Sequence, residues 1–447
     1  MSALGLEHAP PRRDSAARAL AGTIADTPAA ARLARVVLLG CGTVGSAVAR
    51  RLIEHGDRVG VHLSRVLVRD ARKPRGIPRE LLTESFDEAF AQAPDLVIEL
   101  LGGAEPAASY VREALRCGVP VVTANKTLVA HHAESLEAAA RQGGARLYHE
   151  AAVCAGIPVF AALRHLRGDR VRRIGGVVSG SCNFILSRLS RGVSYDTALH
   201  QAASLGLVEP DPSADVSGRD SAEKLVLLAR AAGAPNDGCS VADVHTTGIQ
   251  RISSDDILAA RRSGHVVKLI AEYDARLGTL RVGPTFVHNT HLLAGVSDEE
   301  NAVVIETDLA GEIVLRGKGA GPLPTASAIL GDVVRALTEP LASSHVPPGG
   351  DRAWSDRVHR IPCPPGPAVG CFHARVQRRD LRPDDLLGCL CRRGLASSEV
   401  VMQRDSARVV LRASSVAQVS EALSAIDPSA VVYPIWRRGI TAADAGD

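Results

Sequence analysis

Residues 209–224, EPDPSADVSGRDSAEK, combine five carboxylates with one lysine. Asp220 and Lys224 lie four positions apart, so on a helix they would share one face. Glu209 and Asp215 precede them in a loop that prolines restrict. Such carboxylates could bind the ammonium group of a substrate and control the proton on Lys224, as general acid–base chemistry requires.

The same stretch has a simpler interpretation. Ser217 and Asp220 have the S-x-x-D form of a capping box ahead of the apolar run LVLLARAAG, which predicts a helix that begins near residue 218. A solvent-exposed ion pair between Asp220 and Lys224 would then explain their spacing without catalysis. Both interpretations stay open on this stretch alone.

Lysine is scarce in this chain. Of 52 basic residues only five are lysines, at positions 73, 126, 224, 268 and 318. Arginine supplies the other positive charges. Because lysine is compact and can lose its proton, the composition favours a specific need for lysine at Lys126 and Lys224.

A glycine-rich turn marks the start of the ordered chain. RVVLLGCGTVGSAVARRLIEHG (35–56) predicts a strand, a G-x-G-x-x-G turn and a helix. The helix N-terminus would offer free N–H groups to phosphates. A glycine turn in an unliganded α/β unit is the alternative. The residues predicted to contact a dinucleotide here are Gly40, Gly42, Thr43, Val44 and Gly45.

The end of the next strand bears on cofactor choice. HLSRVLVRD (62–70) ends at Arg69 and Asp70, and Lys73 and Arg75 follow. A carboxylate there would bind the ribose 2′-OH of NAD, whereas cations would suit the 2′-phosphate of NADP. The three cations favour NADP, with NAD and a solvated charged turn as alternatives.

Strand and helix patterns continue to alternate after the glycine turn. DLVIELLGG (95–103), VPVVTANK (119–126) and ARLYHEAAV (145–153) read as strands. This alternation predicts an α/β fold with a Rossmann-type, doubly wound nucleotide domain. Ligands bind beyond the carboxyl ends of such strands, so Lys126 should face a cofactor or substrate. A surface lysine at a strand end is the alternative.

The pattern then changes from regular strand–helix alternation to that of an α+β domain. RIGGVVSGSCNFILSRL (173–189) predicts a strand ending at SGSCN, where Gly180 and small hydroxyls such as that of Ser181 let the backbone approach a ligand. A helix over 195–204 should end at Gly206.

In order along the chain, these motifs resemble those of homoserine dehydrogenases. The resemblance runs from about residue 36 to 335 and includes LGCGTVG, VIELLGG, TANK, HEAAVCAGIP, SGSCNFIL, LGLVEPDPSADVSGRDSAEKL, HLLAGVSDEENAVVIETD and GKGAGPLPTASAIL. It implies NAD(P)-dependent interconversion of L-homoserine and L-aspartate 4-semialdehyde, in the branch leading to threonine and methionine.

The resemblance also implies roles for individual residues. Lys224 matches the catalytic lysine that donates a proton to the aldehyde oxygen, and Asp220 matches its partner on the helix. Lys126 matches a second lysine beside the reacting centre and the cofactor. Further matches are the substrate-binding positions Glu209, Asp215, Gly180 and Ser181 and the cofactor-covering loop at Gly319 and Gly321. Ser181 replaces the usual threonine and keeps its hydroxyl.

The family resemblance implies a monovalent-cation site as well. Its ligands, for Na⁺ or K⁺, would be largely backbone carbonyls, which suit a hard cation. The matching residues are Glu150, Val153, Ala155 and Ile157.

The C-terminal segment follows a Pro- and Gly-rich stretch. Its βαββαβ order predicts a ferredoxin-like domain that resembles an ACT domain. Asp384 replaces a glycine of the ACT motif, so effector binding and a purely structural or dimer-forming role stay open. The predicted organisation is a disordered tail (1–34), an NAD(P)-binding domain (35–157, completed by about 318–340), a catalytic and dimerisation domain (158–317), a linker (341–367) and an ACT-like domain (368–440).

Composition excludes several other functions. A formal net charge of +3 and thirteen aromatic residues predict no nucleic-acid or membrane partner. Nine cysteines without a pairing pattern predict a cytoplasmic protein. We expect a small-molecule substrate and a homodimer or homotetramer. The alternatives are a non-catalytic nucleotide and amino-acid sensor, and a dehydrogenase for another small amino aldehyde.

Overall fold

The computed structural model describes most of the chain. The described ranges are 32–208, 211–235, 239–339, 370–377, 383–393, 395–402, 407–413 and 416–436. Glu209, almost all of the predicted N-terminal tail and the predicted linker lie outside them. Across these ranges, no helix has the length and apolar character needed to cross a membrane.

A parallel sheet forms the first half of the described chain. Its strand order is β3-β2-β1-β4-β5-β6. The strands are β1 (Ala34–Leu39), β2 (Val61–Leu67), β3 (Leu82–Thr83), β4 (Leu96–Glu99), β5 (Val121–Thr123) and β6 (Leu147–Tyr148). The accompanying helices are α1 (Thr43–His55), α2 (Phe86–Phe90), α3 (Ala107–Arg116) and α4 (Lys126–Gly143).

Helices cover both faces of this sheet, which explains its apolar strands. In β1, Val36 and Leu38 pack in one core with residues of α1, whereas Val37 and Leu39 pack in a second core with α3 and α4. A strand buried on both faces needs a continuous apolar run such as VVLL. The predicted doubly wound α/β fold is confirmed.

A late helix returns to this first sheet. Helix α11 (Pro322–Thr338) packs on α1, and its Ala326, Ile329 and Val333 share a core with the β1 side chains. One face of the parallel sheet is therefore covered in part by a helix that begins 322 − 148 = 174 residues after β6.

A mixed sheet forms the second half. Strands β7, β9, β10, β11 and β12 pair antiparallel in the order β12-β11-β7-β9-β10, and β8 joins the outer side of β10 in parallel. The strands are β7 (Val171–Val177), β8 (His245–Thr246), β9 (His265–Asp274), β10 (Thr279–His288), β11 (Glu300–Thr307) and β12 (Glu312–Lys318). The helices are α5 (Val159–His165), α6 (Gly180–Ser190), α7 (Tyr195–Ser204), α8 (Ser213–Val216), α9 (Arg219–Ala231) and α10 (Ser254–Arg262).

The start of α9 corrects the capping-box prediction. The N-cap is Gly218, with φ 84°, and no side-chain cap is found there among the described residues. Ser217 lies at the C-terminal end of the short helix α8, and its hydroxyl donates a hydrogen bond to the Ala214 carbonyl. Glycine is required because the turn between α8 and α9 needs a positive φ. The Asp220 carboxylate is therefore left available for other partners.

The C-terminal residues extend the mixed sheet. Strand β16 pairs in parallel with β10, and the order continues β16-β13-β15-β14. The elements are β13 (Gly370–Val376), α12 (Pro383–Arg392), β14 (Ala396–Met402), β15 (Ala407–Ala413), α13 (Val416–Ser424) and β16 (Val431–Trp436). At the junction, buried Asp256 pairs with Arg375 (2.9 Å) and Arg408 (3.1 Å).

Candidate active site

The glycine turn between β1 and α1 is shaped by close backbone contacts. Gly40 has φ 97°, and a Cβ there would lie 2.5 Å from the Leu100 carbonyl oxygen. A Cβ on Gly45 would lie 2.2 Å from the Gly40 oxygen. At Gly42, by contrast, an added Cβ would meet no described heavy atom within 4 Å. Helix α1 begins at Thr43, and its N-cap Gly42 supplies no side-chain cap, so the first N–H groups of the helix could bind a phosphate.

The strand end beyond β2 presents exposed cations. Arg69 and Lys73 are both exposed. The Asp70 carboxylate accepts hydrogen bonds from the Arg72 backbone N–H (2.9 Å) and Nε (3.2 Å), which lower the pKa of Asp70. Arg75 donates to the carbonyls of Asp70 (2.7 Å) and Lys73 (2.8 Å) and so holds the loop in shape. The carboxylate is therefore engaged locally, whereas Arg69 and Lys73 face solvent.

Asp220 joins the two lysines that the sequence singled out. Its Oδ2 lies 2.8 Å from Lys224 Nζ, one turn along α9, and its Oδ1 lies 3.0 Å from Lys126 Nζ, the first residue of α4. Lys224 Nζ also donates to the Val178 carbonyl at 2.8 Å. The structure thus brings together the end of β5, the end of β7 and the start of α9.

The electrostatics of this cluster favour a charged carboxylate and a charged lysine. Burial alone would raise the pKa of Asp220, but Lys224 and Lys126 outweigh it and lower that pKa to about 2. Burial alone would lower the pKa of Lys224, but Asp220, with smaller effects from Cys154 and Asp215, raises it. Lys224 therefore carries a proton at neutral pH and can give it to an oxygen that develops negative charge.

A second carboxylate lies close to this cluster. Ser181 Oγ, at the start of α6, donates to Asp215 Oδ1 at 2.8 Å and lies 3.0 Å from Ser179 Oγ. Burial, and secondarily Asp220, raises the pKa of Asp215. Gly180 is needed because a Cβ there would lie 2.8 Å from the Glu299 carbonyl oxygen. Of the four predicted substrate-binding residues, three are therefore clustered and Glu209 is outside the described ranges.

The segment predicted to hold a monovalent cation is a buried turn. The Glu150 carboxylate is already engaged: it accepts from the backbone N–H groups of Phe160 (2.7 Å) and Ala161 (3.3 Å) and from Arg164 (3.2 Å). The Glu150 carboxylate is therefore held by the first turns of α5.

The rest of this turn has unusual backbone geometry. Cys154 and Ala155 have φ values of 55° and 39°, which are rare for residues with a side chain. Val153, Ala155 and Ile157 are all buried. Across the described ranges, no cluster of three or more His, Cys, Asp or Glu side chains could hold a metal ion. Among the described residues, backbone carbonyls are thus the groups of this turn that a cation could use, and that of Ile157 also accepts from the Val159 N–H at 2.8 Å.

Comparison with known proteins identifies the family. A family model described as homoserine dehydrogenase matches residues 158–334, and one described as its NAD binding domain matches residues 40–150. The homoserine dehydrogenase of Corynebacterium glutamicum is 41% identical over 332 residues, covering 70% of this chain and 74% of its own. The chain belongs to the homoserine dehydrogenase family.

Solved structures of homoserine dehydrogenases share the fold. The enzyme from Thiobacillus denitrificans superposes with a TM-score of 0.78 at 28% identity, covering 91% of this chain and 99% of its own. A hyperthermophilic archaeal homoserine dehydrogenase in complex with NADPH has a TM-score of 0.59 at 28% identity, covering 68% and 97%. These matches confirm an oxidoreductase with a nicotinamide-binding parallel sheet and a mixed catalytic sheet.

Sequence reasoning missed a buried carboxylate at the carboxyl end of β4, the edge of a parallel sheet at which ligands bind. Glu99, at the end of β4, is fully buried and accepts from the Leu101 N–H (2.7 Å) and from Thr123 Oγ (2.5 Å). Burial raises the pKa of Glu99. Asn125, whose Nδ2 lies 3.5 Å from Glu99, caps α4 by accepting from the Leu128 N–H. A glutamate inside the apolar run LVIELL was the signal that could have found it.

Proposed function

We propose that the chain reduces L-aspartate 4-semialdehyde to L-homoserine, and catalyses the reverse oxidation, with Lys224 as the proton donor. The observation that carries this is the placement of Lys224 and Lys126 on the two oxygens of Asp220. When bound, the nicotinamide supplies the hydride that is added to the aldehyde carbon. Lys224 transfers its proton to the aldehyde oxygen, which becomes the hydroxyl of homoserine, and it regains a proton from solvent.

The carboxylates around this cluster would orient the substrate. Asp215 and Glu209 would bind its amino group, and Ser181 would hold Asp215 in place through the hydrogen bond at 2.8 Å. Gly180 would let the substrate approach the backbone at the start of α6. Because the raised pKa of Asp215 reflects burial, an arriving ammonium group would stabilise its charged form.

NADP is the proposed cofactor, with NAD as the less favoured one. The residues Gly40, Gly42, Thr43, Val44 and Gly45 would receive the pyrophosphate. Support for NADP comes from the exposed cations Arg69 and Lys73, and from the archaeal relative in complex with NADPH. Gly321, with φ 106° at the start of α11, would let the chain cover the cofactor. Initial rates with each cofactor test this preference.

A monovalent cation, Na⁺ or K⁺, is proposed at the backbone carbonyls of Glu150, Val153, Ala155 and Ile157. Support comes from the buried turn and its two positive φ values. The cation would fix the turn that leads from the parallel sheet into α5. Thermal unfolding in KCl, NaCl and a bulky organic cation should separate cation binding from general ionic strength.

The C-terminal residues are proposed to form a ferredoxin-like, ACT-like domain. Their described elements have the order β-α-β-β-α-β and the strand order β16-β13-β15-β14. The structure does not describe the side chain of Asp384, which lies in α12. Calorimetry with threonine and other amino acids tests whether this domain binds an effector. A homodimer or homotetramer in the cytoplasm is also proposed, and sedimentation equilibrium would measure its size.

A direct assay tests the central proposal. Purified protein mixed with NADPH and L-aspartate 4-semialdehyde should consume the nicotinamide absorbance. A substrate panel of other small amino aldehydes would show whether the specificity lies elsewhere. Tight binding of cofactor and homoserine without turnover, with either NADPH or NADH, would instead indicate a sensor and overturn the enzymatic proposal.

A further inference from the structure

Glu223 is a buried carboxylate next to Lys224 in sequence, but its partners lie in the other half of the molecule. The residue is only 5% exposed. Its Oε2 accepts a hydrogen bond from Thr127 Oγ at 2.9 Å, and its Oε1 lies 3.3 Å from His131 Nε2. Both partners belong to α4 of the nucleotide-binding half, whereas Glu223 belongs to the catalytic helix α9. A carboxylate this deeply buried requires such partners to offset its lost hydration.

These contacts lie beside the bridge between the two lysines. Thr127 directly follows Lys126, and Glu223 is three positions after Asp220, so the two acidic residues are neighbours on one face of α9. The ion pair of Lys126 with Asp220 (3.0 Å) and the hydrogen bond of Thr127 with Glu223 (2.9 Å) therefore connect the same two helices at adjacent positions. A displacement of the first turn of α4 would disturb both.

We propose that Glu223 is a positioning residue for the reaction. By fixing the first turn of α4 against α9, it holds the ammonium group of Lys126 on Asp220 and so beside Lys224. The carboxylate is engaged by α4 and is not assigned to the substrate or cofactor. This inference rests on the proposed role of Lys126, and it requires that the effect of Glu223 on turnover pass through Lys126.

A double-mutant cycle tests this dependence. Glu223→Ala should lower kcat about tenfold in the otherwise unchanged protein, but less than about twofold when Lys126 is already alanine, because coupled residues give non-additive effects. An equal loss in both backgrounds, or no loss in either, would overturn the proposal. Normal turnover of Lys126→Ala alone would show instead that the proposed role of Lys126 is wrong.

Thr127→Val gives the same test without emptying a buried site. The change removes the hydroxyl and keeps the side-chain volume, so it stays informative even where Glu223→Ala does not fold. We expect a loss of about threefold in kcat that disappears in the Lys126→Ala background. The same loss in both backgrounds would contradict the proposal.

Arg230→Met is the matched control. Arg230 Nη1 donates to the Ala130 carbonyl at 3.3 Å, and its Nε and Nη2 donate to the Cys239 carbonyl at 3.1 and 2.9 Å. This variant therefore removes a different contact between α4 and α9, farther from Lys126, together with a contact to the loop after α9. Its kcat should stay within about twofold of the unchanged protein. A loss as large as that of Glu223→Ala would show that general loosening of the helix pair, rather than positioning of Lys126, lowers turnover.

Discussion

The glycine turn and the lysine–aspartate cluster are built in opposite ways. At the turn, the backbone defines the site, and an added Cβ on Gly40 or Gly45 would meet a carbonyl oxygen within 2.5 Å. In the cluster, the side chains of Lys126, Asp220 and Lys224 define the site: Asp220 and Lys224 lie one turn apart on α9, and Lys126 comes from the distant start of α4. The turn should therefore be damaged by added atoms, and the cluster by removed charge.

The largest expected effect is at Lys224, the proposed proton donor. Lys224→Ala should lower kcat by at least about 10²-fold, because general acid catalysis is lost. Cofactor binding, measured by calorimetry with NADPH, should be unchanged because the glycine turn does not use this side chain. Turnover close to that of the unchanged protein would refute the role assigned to Lys224.

Lys224→Arg separates charge from proton transfer at the same position. Arginine keeps the positive charge beside Asp220, but its guanidinium does not release a proton in proteins. A loss nearly as large as that of the alanine variant is therefore expected. Recovery of activity in this variant would show that the cluster acts by charge alone.

The next effect should come from an added methyl group in the turn. Gly45→Ala should weaken NADPH binding by at least about tenfold and destabilise the protein by about 1–3 kcal/mol, because its Cβ would lie 2.2 Å from the Gly40 oxygen. Calorimetric titration and thermal unfolding without cofactor measure the two quantities.

Gly42→Ala is the control within the same turn. An added Cβ there meets no described atom within 4 Å, so the free energy of unfolding should change by less than about 0.5 kcal/mol. NADPH binding should still weaken. Unchanged NADPH binding in Gly42→Ala would contradict the placement of the pyrophosphate at this turn.

The same contrast explains what could be predicted from the sequence. The strand and helix pattern around Gly40, the helix over 195–204 and the left-handed Gly206 (φ 68°) are local features, and the structure confirms them. Local patterns suffice because backbone conformation there depends on neighbouring residues.

Contacts between distant residues could not be predicted in this way. The prediction of a capping box at Ser217 was wrong, because the N-cap of α9 is Gly218. Residues of β8 and β10 pack against this glycine: a Cβ on it would lie 3.1 Å from Thr246 Cγ2 and 3.1 Å from Val282 Cγ1. Glu223 was overlooked because its partners lie about ninety residues earlier in the chain. The bridge between Lys126 and Asp220 likewise depends on how two helices pack.

Removing the charge of Asp220 should shift the pH dependence of the reaction. Asp220 is the main group that raises the pKa of Lys224, so in Asp220→Asn burial is left to lower that pKa. Reduction requires protonated Lys224, so as the pH rises the rate of reduction should begin to fall at a lower pH in Asp220→Asn than in the unchanged protein. The reverse oxidation requires neutral Lys224 and should begin at a lower pH.

The pH profiles of kcat/KM in both directions measure this shift. At neutral pH we expect a loss of roughly tenfold in reduction, smaller than for Lys224→Ala because the proton donor is still present. If kcat/KM changes at the same pH in Asp220→Asn and in the unchanged protein, Asp220 does not control the proton of Lys224.

The smallest effect should come from the exposed side chains that follow β2, the strand that pairs with β1. Arg69 and Lys73 are exposed, so their attraction for a 2′-phosphate is screened by salt and should contribute to affinity without changing kcat. Arg69→Ala and Lys73→Ala should each raise KM for NADPH by about fivefold and leave KM for NADH unchanged, within the roughly 1 kcal/mol expected of exposed ion pairs. Added salt should raise KM for NADPH in the unchanged protein and have less effect in the double variant. An equal rise in KM for both cofactors would mean that these side chains shape the loop rather than bind the phosphate.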